Sequence, residues 1–125
     1  MCIRDRETTT RTCPDLAKAT LNSTSPEMFS KTEYRKFLKL SEQVLMTMYG
    51  GDCYAYGLLA NGYIDLIIEA DLKPYDFCAL VPIVKGAGGA ITDWQGQAID
   101  INSDGRVIAS GDPKIISEAT KILTG

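Results

Sequence analysis

The sequence contains no histidine. Ser-His-acid and Cys-His arrangements both use an imidazole as their base, so that class of nucleophilic catalysis is excluded, and any chemistry falls to carboxylates, hydroxyls, lysine or a hard metal ion. A zinc site goes with it, because the cysteines at positions 2, 13, 53 and 78 show no Cys-x-x-Cys spacing and are too scattered for a thiolate cage. Unpaired thiols of this kind fit a reducing, cytoplasmic setting. An excess of positive charge is also lacking. The 13 Lys and Arg against 16 Asp and Glu give a formal charge of −3, without the basic stripe that supplies most nucleic-acid affinity, so DNA and RNA are excluded as partners. No apolar run reaches the roughly 18 residues of a membrane span. The two arginines in residues 1–6 are followed by no apolar segment of a secretory signal.

What is present fits one globular domain. A chain of 125 residues with 45% hydrophobic content can bury an ordinary core without disulfides or a structural metal. Residues 1–15 read as a disordered or non-native start, of which residues 1 to about 6 look foreign, and residues 16–125 as the folded unit.

Strand and helix patterns alternate through that unit. Ala17–Leu21 reads as a weak strand. Ser25-Pro26-Glu27 then supplies a hydroxyl cap, a proline at the first helical position and an early acid, predicting a helix to about Ser41 with Tyr34, Phe37, Leu38 and Ser41 on one face. Val44–Tyr49 is a β-rich run ending at Gly50-Gly51, after which Asp52 is positioned to cap a largely apolar helix to about Ala60. Residues 64–69 form a strand with Ile64, Leu66 and Ile68 on one face. Pro74 opens a helix to Lys85, which Gly86-Ala87-Gly88-Gly89 stops. Residues 90–93 and 106–110 are short strands, and Asp112-Pro113 starts a last helix with Ile115, Ile116, Ala119, Ile122 and Leu123 on one face. About five strands and four helices predict an α/β layer structure with helices on both sides of a mixed sheet.

In such sheets ligands gather beyond the carboxyl ends of strands, which singles out the loops at 50–53 and 69–76. Glu69 and Asp76 stand at a strand end and in the first turn of the next helix, with Pro74 fixing the bend between them. Asp76 has two open readings: an oxygen ligand for Mg²⁺, which takes one or two carboxylates plus phosphate and water oxygens, or an acid that complements a helix dipole. Gly50-Gly51-Asp52-Cys53 either presents backbone N–H groups to an anion or is a plain turn with an N-cap. Gly86–Gly89 follows a helix and precedes a strand, the reverse of a dinucleotide-binding loop, and reads as helix termination with close packing. Asp65 and Asp93 read as solvated strand-end carboxylates, and Trp94 as a lone aromatic.

The run Pro74-Tyr75-Asp76-Phe77-Cys78-Ala79-Leu80, continuing through Ile83-Val84-Lys85-Gly86-Ala87-Gly88-Gly89-Ala90-Ile91-Thr92-Asp93-Trp94-Gln95-Gly96, resembles the C-terminal signature of inositol monophosphatase-like phosphatases. The resemblance extends from about Leu16 to Leu123 and corresponds to the second half of a family member. It implies that Asp76 ligates a catalytic Mg²⁺ and touches substrate, and that Glu69 hydrogen-bonds a substrate hydroxyl or amine. It also implies that Gly51, Asp52 and Cys53 line the substrate pocket, although inositol-specific members have Gly-Thr-Ala there and Tyr75 replaces the usual Trp. Thr24-Ser25-Pro26-Glu27-Met28-Phe29, Tyr49-Gly50-Gly51-Asp52-Cys53-Tyr54 and Lys73-Pro74-Tyr75-Asp76 resemble the histidinol-phosphatase branch. The resemblance then implies hydrolysis of a small phosphomonoester by Mg²⁺, a homodimer, and catalytic residues that lie in the N-terminal half rather than among these residues.

Overall fold

The computed structural model describes residues 2–3 and 6–125, so the reading of residues 1, 4 and 5 as foreign lies outside the described residues. Two short strands, β1 (Cys2–Ile3) and β2 (Arg6–Glu7), pair antiparallel. The main sheet contains β3 (Thr20–Ser23), β4 (Met46–Tyr49), β5 (Leu66–Glu69), β6 (Ala90–Thr92) and β7 (Val107–Ser110). Its order is β4-β3-β5-β7-β6, with β4, β3 and β5 parallel and β7 antiparallel to both β5 and β6. This is the mixed five-stranded sheet that the alternating patterns predict.

Helices α1 (Lys31–Ser41) and α5 (Lys114–Thr124) cover one face, and α2 (Cys53–Ala60), α3 (Pro74–Phe77) and α4 (Leu80–Gly86) the other. Strand β5 supplies both cores: Leu66 and Ile68 pack with Phe37, Leu40, Ile115 and Ala119, while Ile67 packs with Leu59, Phe77 and Val84. A strand buried on both faces reads as a continuous apolar run. Ile64 precedes the strand, so the alternation does not extend to it, and it joins Ile67 rather than Leu66 and Ile68.

Two predicted helices are shorter than expected, each for a local reason. The first begins at Ser30, not Ser25, because Ser30 forms a capping box: its hydroxyl accepts the Glu33 N–H at 3.3 Å, and the Glu33 carboxylate accepts the Ser30 N–H at 2.7 Å. Ser25 caps only a short 3-10 turn, Pro26–Met28. On the helix that follows, Phe37 and Leu40 are buried, while Leu38 faces solvent. The second breaks into α3 and α4 because the ring of Pro82 would collide with the carbonyl four residues earlier, at Cys78. Starting again at Leu80 leaves Pro82 in a first turn, where no intrahelical N–H is required. The glycine run ends α4 as expected. A Cβ on Gly89 would meet the Ser110 carbonyl at 2.6 Å, so only glycine lets these segments approach.

Two expectations are corrected. The start is not disordered over residues 8–15: Thr8 and Cys13 are buried, the Thr10 N–H donates to the Ala87 carbonyl at 3.0 Å, and the Cys13 N–H donates to Asp112 at 3.1 Å. Asp65 is not solvated. It is 1% exposed and accepts two bonds from the Arg11 guanidinium, at 2.7 and 2.6 Å, and one from the Thr20 N–H at 2.8 Å. Asp93, just beyond the end of β6, keeps its strand-end place and also organises the turn, accepting the Gln95 and Gln97 N–H groups at 2.9 and 2.8 Å.

Candidate active site

Because β3, β4 and β5 run parallel, their carboxyl ends open on the same side of the sheet. A cavity of about 430 Å³ lies there, and its lining includes Asp52, Cys53, Tyr56, Glu69, Tyr75 and Asp76. Four of the five residues singled out from the sequence thus share one crevice. The fifth, Gly51, does not line it and instead shapes the turn that leads in, with φ +100° after +93° at Gly50. Glycine adopts that region without steric cost.

Asp52 continues the turn at φ 45°, unusual for a residue with a Cβ. Its carboxylate makes no cap bond to α2, which corrects the expectation of a capping side chain. The carboxylate is left to the cavity. Such backbone strain costs roughly 1–3 kcal/mol and collects where ligands bind.

Glu69 is 2% exposed at the end of β5 and still reaches the cavity wall. The Tyr56 hydroxyl donates to one carboxylate oxygen at 2.7 Å, and the Thr24 hydroxyl donates to the other. Burial pushes the Glu69 carboxyl above its ordinary range, an effect the Thr24 and Tyr56 hydroxyls oppose and the nearby Asp52 charge reinforces. The Tyr56 phenol is held well above its usual range by burial and by Glu69. It therefore acts as a neutral donor at any working pH.

Asp76 is exposed in α3, and its Oδ2 accepts the Lys73 N–H at 2.8 Å. The geometry accommodates both readings of this residue, since one oxygen holds the helix start while the other remains available. Mg²⁺ takes one or two protein carboxylates and completes its shell with phosphate and water oxygens. Asp76 fits as a single such ligand. Among the described residues no group of three or more His, Cys, Asp or Glu is placed to hold a metal ion.

Three participants were not legible in the sequence. Thr24 and Tyr56 hold the Glu69 side chain, and the Trp94 indole N–H donates to the Glu69 carbonyl at 3.2 Å. Tyr56 carried a usable signal: a tyrosine on an apolar helix buries a hydroxyl that must find a partner. A second cavity of about 390 Å³ lies where Glu33, Asp71, Asp104 and Arg106 meet. There the Arg106 guanidinium bonds Glu33 at 2.7 Å and lies 5.9 Å from the centre of the Trp94 ring.

Comparison with known proteins gives a consistent picture. Residues 3–124 match the model of the inositol monophosphatase family. The bifunctional phosphatase IMPL2 of Arabidopsis thaliana, a chloroplastic protein, is 42% identical over 97% of this chain and 37% of its own length. A histidinol-phosphatase of Chlorobaculum parvum is 37% identical over 48% of this chain and 23% of its own length. An inositol monophosphatase structure from Zymomonas mobilis superposes with a TM-score of 0.91 at 48% identity, covering 94% of this chain and 46% of that one. The chain spans less than half the length of each of these relatives. Among the described residues no helix is long and apolar enough to cross a membrane.

Proposed function

The chain belongs to the inositol monophosphatase family, and on that premise we propose that it forms the alcohol-recognising part of a Mg²⁺-dependent phosphomonoester phosphatase whose substrate is an amino-alcohol phosphate such as histidinol phosphate. One observation carries this reading: Asp52, Glu69 and Asp76 line a single cavity whose wall includes no lysine or arginine among the described residues. A neutral polyol does not need two further carboxylates beside a metal ligand. A substrate ammonium does, through charge-assisted hydrogen bonds to Asp52 and Glu69. The partial likeness to histidinol-phosphatases points the same way.

Bound Mg²⁺ would polarise the phosphoryl group and supply an activated water. The residues of this chain have narrower tasks. Asp76 offers one carboxylate oxygen to the ion while its other oxygen fixes α3. Asp52 and Glu69 orient the leaving alcohol, and Cys53 with Tyr75 borders it. The nucleophile-generating residues are assigned to the portion that the longer relatives carry, so these 125 residues alone should show negligible turnover. The free, exposed thiols of Cys53 and Cys78 suit a reducing compartment such as the cytoplasm.

The test is phosphate release from histidinol phosphate and from inositol phosphate, with and without Mg²⁺, by a full-length protein carrying this segment. Asp52→Asn should weaken the amino-alcohol substrate more than the polyol. Equal losses on both would sink the substrate assignment.

A second reading rests on edge strand β4. Leu45, Met46, Met48 and Tyr49 are exposed beside and along it, and an open apolar edge is a surface that other polypeptide covers. Covered by a second copy, it would give a homodimer. Sedimentation of the full-length protein decides whether one forms.

A further inference from the structure

Stability does not account for the way Glu69 and Tyr56 are buried together. Both are under 3% exposed, and a leucine and phenylalanine pair would fill the same space without desolvating a carboxylate. Their hydrogen bond has a directional consequence. An ionised carboxylate has about four lone-pair sites on two oxygens. The Tyr56 hydroxyl, from the cavity wall, occupies one site on one oxygen, and the Thr24 hydroxyl, from outside the lining, one on the other. The free sites are left to the cavity that Glu69 lines. The two donors come from different elements, α2 and the segment after β3, so the carboxylate plane is held at two points.

We propose that Tyr56 and Thr24 are positioning residues that set the cavity's substrate preference, aiming the Glu69 carboxylate at the ammonium or hydroxyl of the leaving alcohol. The inference rests on the reading of Glu69 as a substrate contact. Its effect falls on the alcohol end of the substrate, and the phosphate end is untouched. The hydroxyls also keep the carboxylate ionised against its own burial.

The test compares Tyr56→Phe, Thr24→Val, Thr24→Ser and Glu69→Gln in a full-length protein carrying this segment, with saturating Mg²⁺. Tyr56→Phe and Thr24→Val should each raise KM for histidinol phosphate about tenfold, the scale of one hydrogen bond to a charged group. KM for inositol phosphate and kcat for both substrates should move less. Thr24→Ser, which keeps the hydroxyl, should restore the preference. In the 125-residue chain, the Glu69 carboxyl followed by ¹³C NMR should titrate at higher pH in Tyr56→Phe. If Glu69→Gln leaves the KM ratio unchanged, the substrate reading fails. If Glu69→Gln changes the ratio but Tyr56→Phe and Thr24→Val do not, the positioning inference alone is overturned. Equal losses on both substrates, or a lowered Tm as the sole effect, also overturn it. Should Tyr56→Phe not fold, Thr24→Val and its rescue by Thr24→Ser decide.

Discussion

The indole N–H of Trp94 donates to the main-chain carbonyl of Glu69 at 3.2 Å, joining the turn after β6 to the end of β5. The bond fixes the backbone from which the Glu69 side chain enters the cavity. Arg106 lies over the outer face of the same ring and is tied to Glu33 at the start of α1. A residue that reads as a lone aromatic thus anchors a site residue from behind.

Trp94→Phe tests that anchor. The substitution keeps an aromatic ring but leaves the buried Glu69 carbonyl without this donor. The expected cost is about 1–3 kcal/mol, read as a lower urea midpoint at unchanged m-value, with a raised KM for substrate in the full-length protein. A stability loss without any change in KM would make Trp94 purely structural.

Glu69 and Asp112 should shape stability against pH in opposite senses. Burial raises the folded-state pKa of Glu69 above 4.5. Its contribution is therefore fully present below about 4.5 and is lost as pH rises through the folded value. Asp112 is lowered below 3.8 by the N–H groups of Lys114 and Cys13. Its contribution is present above that value and is lost as pH falls through the folded value. Glu69→Gln should consequently stabilise the chain near pH 8, where the buried carboxylate is charged. The gain should shrink toward zero near pH 4. Urea midpoints at the two pH values check this, and a gain of equal size at both would show that charge is not its source.

The α/β layering was legible because apolar periodicity reports it. Ile115, Ala119 and Leu123 on α5 are buried as their spacing implies. Helix starts were less legible, since Ser25 and Ser30 carry the same chemistry and only the reciprocal bond to Glu33 selects Ser30. The loops at 50–53 and 69–76 were singled out because strand ends and turns have chain-local signatures, whereas the roles of Asp52, Cys53, Glu69 and Asp76 within them were implied by the family resemblance. Thr24, Tyr56 and Trp94 act through partners 45, 13 and 25 residues away, and spacing along one chain carries no record of such pairings. Asp65 was misread for the same reason, its partner Arg11 lying 54 residues back.

Asp76→Asn should separate the two tasks of that residue. Asparagine keeps an oxygen that can accept the Lys73 N–H, so α3 and the melting temperature should be preserved. It lacks the anionic oxygen that a hard cation requires. In the full-length protein the Mg²⁺ concentration for half-maximal activity should rise at least about tenfold, as expected when a charged ligand is lost. Unaltered Mg²⁺ dependence would leave Asp76 as a helix-start acid alone.

Arg11 tests whether the segment before β3 belongs to the fold. Its guanidinium closes a two-bond pair on Asp65, which is 2% exposed at the side chain while Arg11 itself is 44% exposed. Removing one partner of a fully buried pair costs about 3–5 kcal/mol. Here the exposed arginine is partly screened by solvent, so Arg11→Leu should cost less, roughly 2 kcal/mol. The loss arises mainly from Asp65, left with the Thr20 N–H as its remaining donor. Combining Arg11→Leu with Asp65→Leu should therefore destabilise less than the sum of the two single changes, because the stranded charge is gone. Chemical denaturation of the three variants measures that coupling. Strict additivity would mean that residues 8–15 lie on the domain without being fastened through this pair.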